Sequence, residues 1–305
     1  MASIPNVQAS SWPPGSRAIA PSSNSVRIGE WSCDELISEG VRHRVYAARP
    51  HQRPYGWPLD YVVKVLRRQM QTNRLMVESL RREAVIGTQF NHAHLVPVIS
   101  AQITEPPYYV VYPRLAGMVL SDWLRRDNTL STTFALWIAR QTCEALQGLH
   151  QAGWLHGDVK SDNILVSPDG HVTLVDLGAA ERAGSPVHIT EMPFLSTLHY
   201  AAPERFGSRL ATDIRSEIYS VGVVLFECLT GTVPFDGPTT AAVIDAHRRK
   251  PAPDLRRVKP GLFPAVVDLV RCMLAKDPLR RPHSTEELIR RLIVLEIDTL
   301  PDHVA

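Results

Sequence analysis

The stretch His156 to Val166 reads His-Gly-Asp-Val-Lys-Ser-Asp-Asn-Ile-Leu-Val, and it confines the chain more than any other. A carboxylate, a cation and an amide oxygen stand close together in it, and an apolar triplet follows. Moving a phosphoryl group asks little covalent chemistry of a protein. It needs a carboxylate for the attacking hydroxyl, a cation near the moving group and oxygen ligands for a divalent metal. Asp158 is a candidate to accept the hydroxyl proton, Lys160 to sit over the phosphoryl group, and Asn163, five residues after Asp158, to reach a Mg²⁺. Ile164 to Val166 reads as a short strand, Pro168-Asp169-Gly170 as a turn, and Val172 to Val175 as a second strand. An Asp followed five residues later by Asn also occurs in ordinary solvated loops. The other parts of such a site must therefore fall in order around this one.

The chain has 305 residues, 44% of them hydrophobic, enough for one large domain or two smaller lobes around a sizeable core. A net charge of +2, with basic pairs such as Arg67-Arg68 and Arg290-Arg291 scattered among acidic and apolar residues, gives no reason to expect nucleic acid or an acidic membrane as partner. Cys33, Cys143, Cys228 and Cys272 show no paired spacing, which argues against a disulfide framework or a zinc site and suits a reducing cytoplasm. The first 25 residues, rich in Ser, Pro, Ala and Asn, lack the basic start and apolar core of a signal peptide and read as a disordered tail. Ile218 to Leu229 is too short to span a bilayer and reads as a buried helix.

In chain order, Trp31 to Ser38 and Arg44 to Ala48 are predicted strands joined by Glu39 to His43. Asp60 to Leu66 is a third, with Lys64 between two valines. A lone lysine in a strand is often an edge charge that discourages aggregation. Thr72 to Phe90 then reads as a helix capped by Thr72 or Asn73, with Met76, Leu80 and Ala84 on one face and Glu83 nineteen residues after Lys64. Gly87 costs that helix about 1 kcal/mol. Two more strands, Leu95 to Ala101 and Pro107 to Tyr112, lead into Tyr112 to Gly117. Ser131 or Thr132 caps a long amphipathic helix ending at Gly153, and His156 reads as a packed core histidine. Asp176-Leu177-Gly178 follows Asp158 by eighteen residues, at a strand end that suits a metal ligand. Ala179 to Thr197 is polar and irregular, and Ala202-Pro203-Glu204 closes it 28 residues after Asp176. Further helices are expected from about Arg215, over Thr239 to Arg249, over Phe263 to Leu274, and over Ser284 to Glu296 with a Ser284/Glu287 capping box.

Lys64, Glu83, Asp158, Lys160, Asn163, Asp176 and Glu204, in this order and spacing, resemble the protein kinases, whose catalytic loop usually reads His-Arg-Asp-Leu-x-x-x-Asn. The chain is similar to the eukaryotic-like serine/threonine protein kinases of bacteria. That resemblance implies an α+β, two-lobed kinase fold: a small strand-rich lobe with one key helix (about 30–112), a hinge (about 112–117) and a larger, mainly helical lobe (about 118–296), between tails 1–29 and 297–305. It also implies ATP and Mg²⁺ as cofactors and a protein with a Ser or Thr acceptor as substrate. Lys64 would hold the α- and β-phosphates, oriented by Glu83; Asn163 and Asp176 would bind metal; Val45 would cover the adenine and Val111 back it. Ser38-Glu39-Gly40-Val41-Arg42-His43 stands where a glycine-rich loop belongs, but only Gly40 keeps its glycine, so Ser38 and His43 imply a weaker hold on phosphate. Thr197 would hydrogen-bond Asp158 and Lys160, Arg281 would pair with Glu204, and Glu217 replaces an Asp that holds the loop backbone. Gly87 stands where a large residue normally packs toward Leu177. Gly157 replaces the arginine that binds activation-segment phosphate, so phosphorylation at Ser185, Thr190 or Ser196 would lack its usual partner, with Arg182 as a partial substitute. Three alternatives stand beside this reading: a small-molecule phosphotransferase of the aminoglycoside or choline type, a pseudokinase, and a scaffold with no nucleotide.

Overall fold

The computed structural model describes residues 25–185, 195–206 and 212–300. The described residues fold into two compact units, the first falling within Met1–Val77 and Ile99–Ala116, the second within Glu78–Val98 and Gly117–Ala305. The expected disordered stretch lies outside the described residues up to residue 24, as does Thr190.

The first unit is a six-stranded antiparallel sheet. Its strands are β1 (Val26–Ile28), β2 (Trp31–Glu39), β3 (His43–Pro50), β4 (Tyr61–Leu66), β5 (Ser100–Gln102) and β6 (Tyr109–Pro113), in the order β1-β2-β3-β4-β6-β5. Strand β1 corrects the expected tail boundary: Val26 to Ile28 satisfy their backbone groups by pairing with Trp31 to Cys33, so the fold begins inside the stretch assigned to the tail. One face of the sheet buries Cys33, Tyr46, Ala48, Val63, Val65, Tyr109 and Val111 together. The expected strand from Leu95 is shorter, because Leu95 belongs to the second unit, where it makes a parallel bridge to Leu174, and only Ser100–Gln102 joins β6.

Helix α1 (Arg74–Gln89) is capped by Asn73, whose Oδ1 accepts from the Leu75 and Met76 amides. The division between the two compact units falls after Val77, within this helix, so most of its residues count with the second unit. Ser79 and Arg82 account for this, both donating to the Gly178 carbonyl at 2.8 and 3.3 Å.

Gly87 is a site of close approach and not a weakness. It is buried, the Val98 amide donates to its carbonyl at 3.1 Å, and a Cβ there would run into the Val98 side chain rather than toward Leu177. Gly87→Ala therefore gains about 1 kcal/mol of helix propensity but incurs about 1–3 kcal/mol of overpacking. The expected result is a lower urea midpoint that Val98→Ala in the same chain largely restores; a raised midpoint in the single variant would contradict the packing argument.

The second unit continues with β7 (Met118–Val119), α2 (Leu120–Asp127), α3 (Thr132–Gln151), β8 (Trp154–Leu155), β9 (Ile164–Val166), β10 (Val172–Leu174), β11 (Glu181–Arg182), α4 (Leu195–Leu198), α5 (Ile214–Thr230), α6 (Thr240–Arg249), α7 (Leu255–Val258), α8 (Pro264–Met273) and α9 (Thr285–Asp298). Ser131 caps α3, accepting from the Phe134 amide, and Asp213 caps α5. Helix α5 is buried on nearly every face, from Ile218 and Tyr219 to Cys228 and Leu229, as expected of a helix at the centre of a core. Helices α3, α8 and α9 pack around it or one another. Ser284 caps α9 through the Glu287 amide, while the Glu287 carboxylate reaches back to His283, one residue short of the expected box partner. The C-terminal tail starts later than expected, since α9 runs to Asp298. Among the described residues no helix is long and apolar enough to cross a membrane.

Candidate active site

A short hairpin builds the acidic end of the site. β9 pairs antiparallel with β10, Ile164 opposite Leu174, across a turn closed by the Gly170 amide on the Ser167 carbonyl. The Val175 amide then donates to the Asn163 carbonyl at 2.9 Å, so the pairing brings Asn163 and Asp176 to one end of the hairpin. Asp176 lies in the left-handed region at φ 69°, and its Oδ1 accepts from the Gly178 amide at 3.2 Å.

The loop before β9 folds around Asp158. Its Oδ2 accepts from Lys160 Nζ at 2.7 Å and from Asn163 Nδ2 at 3.0 Å, and Asn163 Nδ2 also donates to the Asp158 carbonyl. Lys160 Nζ reaches Thr197 Oγ1 at 3.2 Å. His156 is fully buried; its Nε2 faces the Val175 carbonyl and its Nδ1 accepts from the Asp158 amide, which assigns the Nε2–H tautomer and a structural role.

Helix α5 holds this loop from behind. Glu217 Oε1 accepts from the Gly157 amide at 2.8 Å, and Oε2 accepts from His150 Nε2 at 2.6 Å. Burial acts to raise the Glu217 carboxyl, but the His150 hydrogen bond and, less, the Gly157 amide outweigh it and hold it below the usual glutamate value. Next to it on the helix, Ser216 Oγ donates to Glu204 Oε1, and about one turn on, Ser220 Oγ donates to the Tyr200 carbonyl, both at 2.8 Å. Tyr200 in turn donates to Glu227 Oε2 at 2.8 Å. Glu204 receives Arg281 in a two-point pair, Nη1 to Oε1 at 2.6 Å and Nη2 to Oε2 at 2.9 Å.

The strand unit carries its own candidates. Lys64 is only 7% exposed and sits on β4 between β3 and β6, so it is not an edge-strand charge. Its register partners are Val45 and Val110, and antiparallel partners share a face. Val111 is thereby corrected: it packs in the core on the opposite face, with Val63 and Val65, and Val110 is the β6 residue beside Lys64. At the hairpin tip Ser38 pairs with Val45, and the Gly40 amide donates to the His43 carbonyl at 2.9 Å. Arg67 donates to the Gly40 carbonyl, and Glu39 pairs with Arg44 and Arg67. A protein-kinase-domain family model matches residues 34–292, most of the chain.

The chain belongs to the protein kinase family. It is 30% identical to the serine/threonine-protein kinase PrkC of Bacillus subtilis over 75% of this chain and 35% of that protein. It is 32% identical to the serine/threonine-protein kinase PknE of Mycobacterium tuberculosis over 85% of this chain and 45% of that one. The chain thus spans less than half the length of these curated relatives.

Within the kinase domain, the second unit brings together Asp158, Lys160, Asn163 and Thr197 through direct hydrogen bonds, with Asp176 at the neighbouring hairpin end. Glu83, 2% exposed on α1, lies close to Gly178. Five contributing residues have no place in the sequence expectations. Ser79 and Arg82 could have been found, because they lie four and one residues before Glu83 on one helix face. His150 and the Glu181–Arg205 ion pair leave no periodic signal.

Proposed function

We propose that this kinase domain transfers the γ-phosphoryl group of Mg-ATP to Ser or Thr hydroxyls of proteins. The observation that carries the reading is Lys160 Nζ bridging Asp158 Oδ2 and Thr197 Oγ1 at 2.7 and 3.2 Å. That contact leaves Asp158 Oδ1 to accept the acceptor hydroxyl's proton, with the ammonium group beside the transferring oxygens. A lysine two residues after the base is, by resemblance, the Ser/Thr arrangement, and the names of the relatives agree with it.

Asn163 spends both N–H contacts on Asp158, which leaves its amide oxygen as an acceptor, and in this reading that oxygen and the Asp176 carboxylate are the Mg²⁺ ligands. Bound Mg-ATP supplies the phosphoryl group and neutralises its charge. Lys64 and Glu83, nineteen residues apart in sequence, keep the roles of phosphate contact and its orienting carboxylate. Ser38, Gly40, Val45 and, in place of Val111, Val110 complete the nucleotide contacts in this reading. A cytoplasmic site of action is part of it, in keeping with four free cysteines.

The test is incubation with γ-labelled Mg-ATP and a generic basic protein, beside Lys64→Ala, followed by acid hydrolysis. Labelled phosphoserine and phosphothreonine that vanish in the variant are expected. Mainly phosphotyrosine, or equal labelling in the variant, would overturn the reading.

A further inference from the structure

Among the described residues, an ion pair ties the start of the stretch from Asp176 to Glu204 to the residue just past its end. Glu181 lies in β11, just after Asp176-Leu177-Gly178, and Arg205 directly follows Glu204. Arg205 Nη1 donates to Glu181 Oε1 at 2.9 Å, with the side chains only 10% and 21% exposed. Arg205 also lines a small cleft behind the catalytic loop with Gly157, Asp158 and Thr197.

No arginine could take up the usual phosphate-binding place at residue 157. Gly157 has φ +80°, and a Cβ there would meet the Ala179 carbonyl oxygen. Arg182 is engaged elsewhere: its guanidinium lies 4.0 Å over the Trp154 ring and donates to the Ala152 carbonyl. The start of the segment is nevertheless well held. β11 pairs with β8, the Ala183 amide donates to the Gly153 carbonyl, and the Gly184 amide donates to the Thr212 carbonyl.

We propose that Glu181 and Arg205 are positioning residues that hold the two described ends of this segment, at β11 and at Glu204, in place for turnover without phosphorylation. The Glu181 carboxylate supplies, as part of the chain, the anion that a phosphate would otherwise bring. Arg205 supplies the cation from the far end of the segment, next to the Glu204–Arg281 pair that fixes that end. A permanent charge-assisted bond then does what a regulated one does elsewhere. This inference rests on the phosphotransfer reading for its kinetic consequence and on the geometry alone for its structural one.

The experiment compares wild type with Glu181→Gln, Arg205→Gln, their double variant and Arg205→Lys. Rates are normalised to folded protein, and hydrogen exchange is followed at the Ala183 and Gly184 amides. Each Gln variant is expected to lose about tenfold in kcat, with the KM for ATP unchanged and faster exchange at both amides. The double variant should be no worse than the poorer single one, because the two groups act as a unit, and Arg205→Lys should keep most of the rate. Phosphatase treatment of wild type, verified by mass spectrometry over residues 179–200, should leave the rate within about tenfold.

A purely structural pair would lower thermal stability and leave kcat per folded molecule unchanged, and that result overturns the proposal. So do multiplying losses in the double variant, unaltered exchange, or a phosphatase loss beyond tenfold. If Arg205→Gln fails to fold, Glu181→Gln, at the more exposed partner, decides through the same readings. A wild type with no phosphotransfer at all defeats the functional reading, and amide exchange still decides whether the clamp exists.

Discussion

Asp158→Asn lowers kcat by about 10²- to 10⁴-fold, the range expected for loss of a general base, while the KM for ATP stays near its original value. Oδ2 of Asp158 already accepts from both Lys160 and Asn163. An asparagine must keep its oxygen toward those two donors, and so presents its NH₂ to the substrate hydroxyl. A donor then stands where an acceptor is needed, although size and shape are unchanged. Asp176→Ala acts on the other arm, removing a carboxylate from the hairpin end and the acceptor of the Gly178 amide. It should abolish turnover at any Mg²⁺ concentration tested. Initial rates across a Mg²⁺ titration provide the check, and near-native turnover in either variant would show that these carboxylates do not serve the reaction.

The largest loss of stability is expected from Arg281→Met. The guanidinium is buried, makes two bonds to Glu204, and also donates to the carbonyls of Arg215, Ala275 and Lys276. Its removal leaves the Glu204 carboxylate buried with Ser216 alone among these donors. Breaking a buried pair from one side costs about 3–5 kcal/mol, a large part of the total of about 5–15 kcal/mol that holds a typical domain together. Urea unfolding should register a midpoint shift of that size with little change in slope. The double variant Arg281→Met, Glu204→Gln should recover part of the loss, because no unpaired charge remains. A single variant within about 1 kcal/mol of wild type would mean that the pair is dispensable.

What could be read from the sequence was local. The loop from His156 to Asn163 could be read because its groups are contiguous, and the hairpin after it because two apolar triplets flank a Pro-Asp-Gly turn. Caps at Asn73, Ser131 and Ser284 followed from side chains that bond amides two or three residues on. Arg281 and Glu204, 77 residues apart, were matched only through resemblance. Strand β1 was missed because three residues behind a polar tail carry no pattern until β2 pairs with them. Val111 lies on the core face and not beside Lys64, which the sequence does not tell, because Tyr109-Val110-Val111-Tyr112 is apolar throughout and an unbroken run does not say which face a residue takes. Gly87 was misread since helix propensity describes the helix alone, while the deciding neighbour, Val98, comes from the segment after it. Between Glu181 and Arg205 nothing in the intervening residues signals that the two meet.

Helix α5 leaves one consequence for how such a molecule wears out. From one rod, Ser216 holds Glu204, Glu217 holds Gly157, Ser220 and Glu227 hold Tyr200, and the rod itself is buried almost all round. The catalytic loop and the end of the segment beyond it therefore share this mounting. Loosening the rod misaligns both. On heating, the surviving activity should follow the surviving fraction of intact molecules, with no population of half-active ones and no drift in substrate preference before the end.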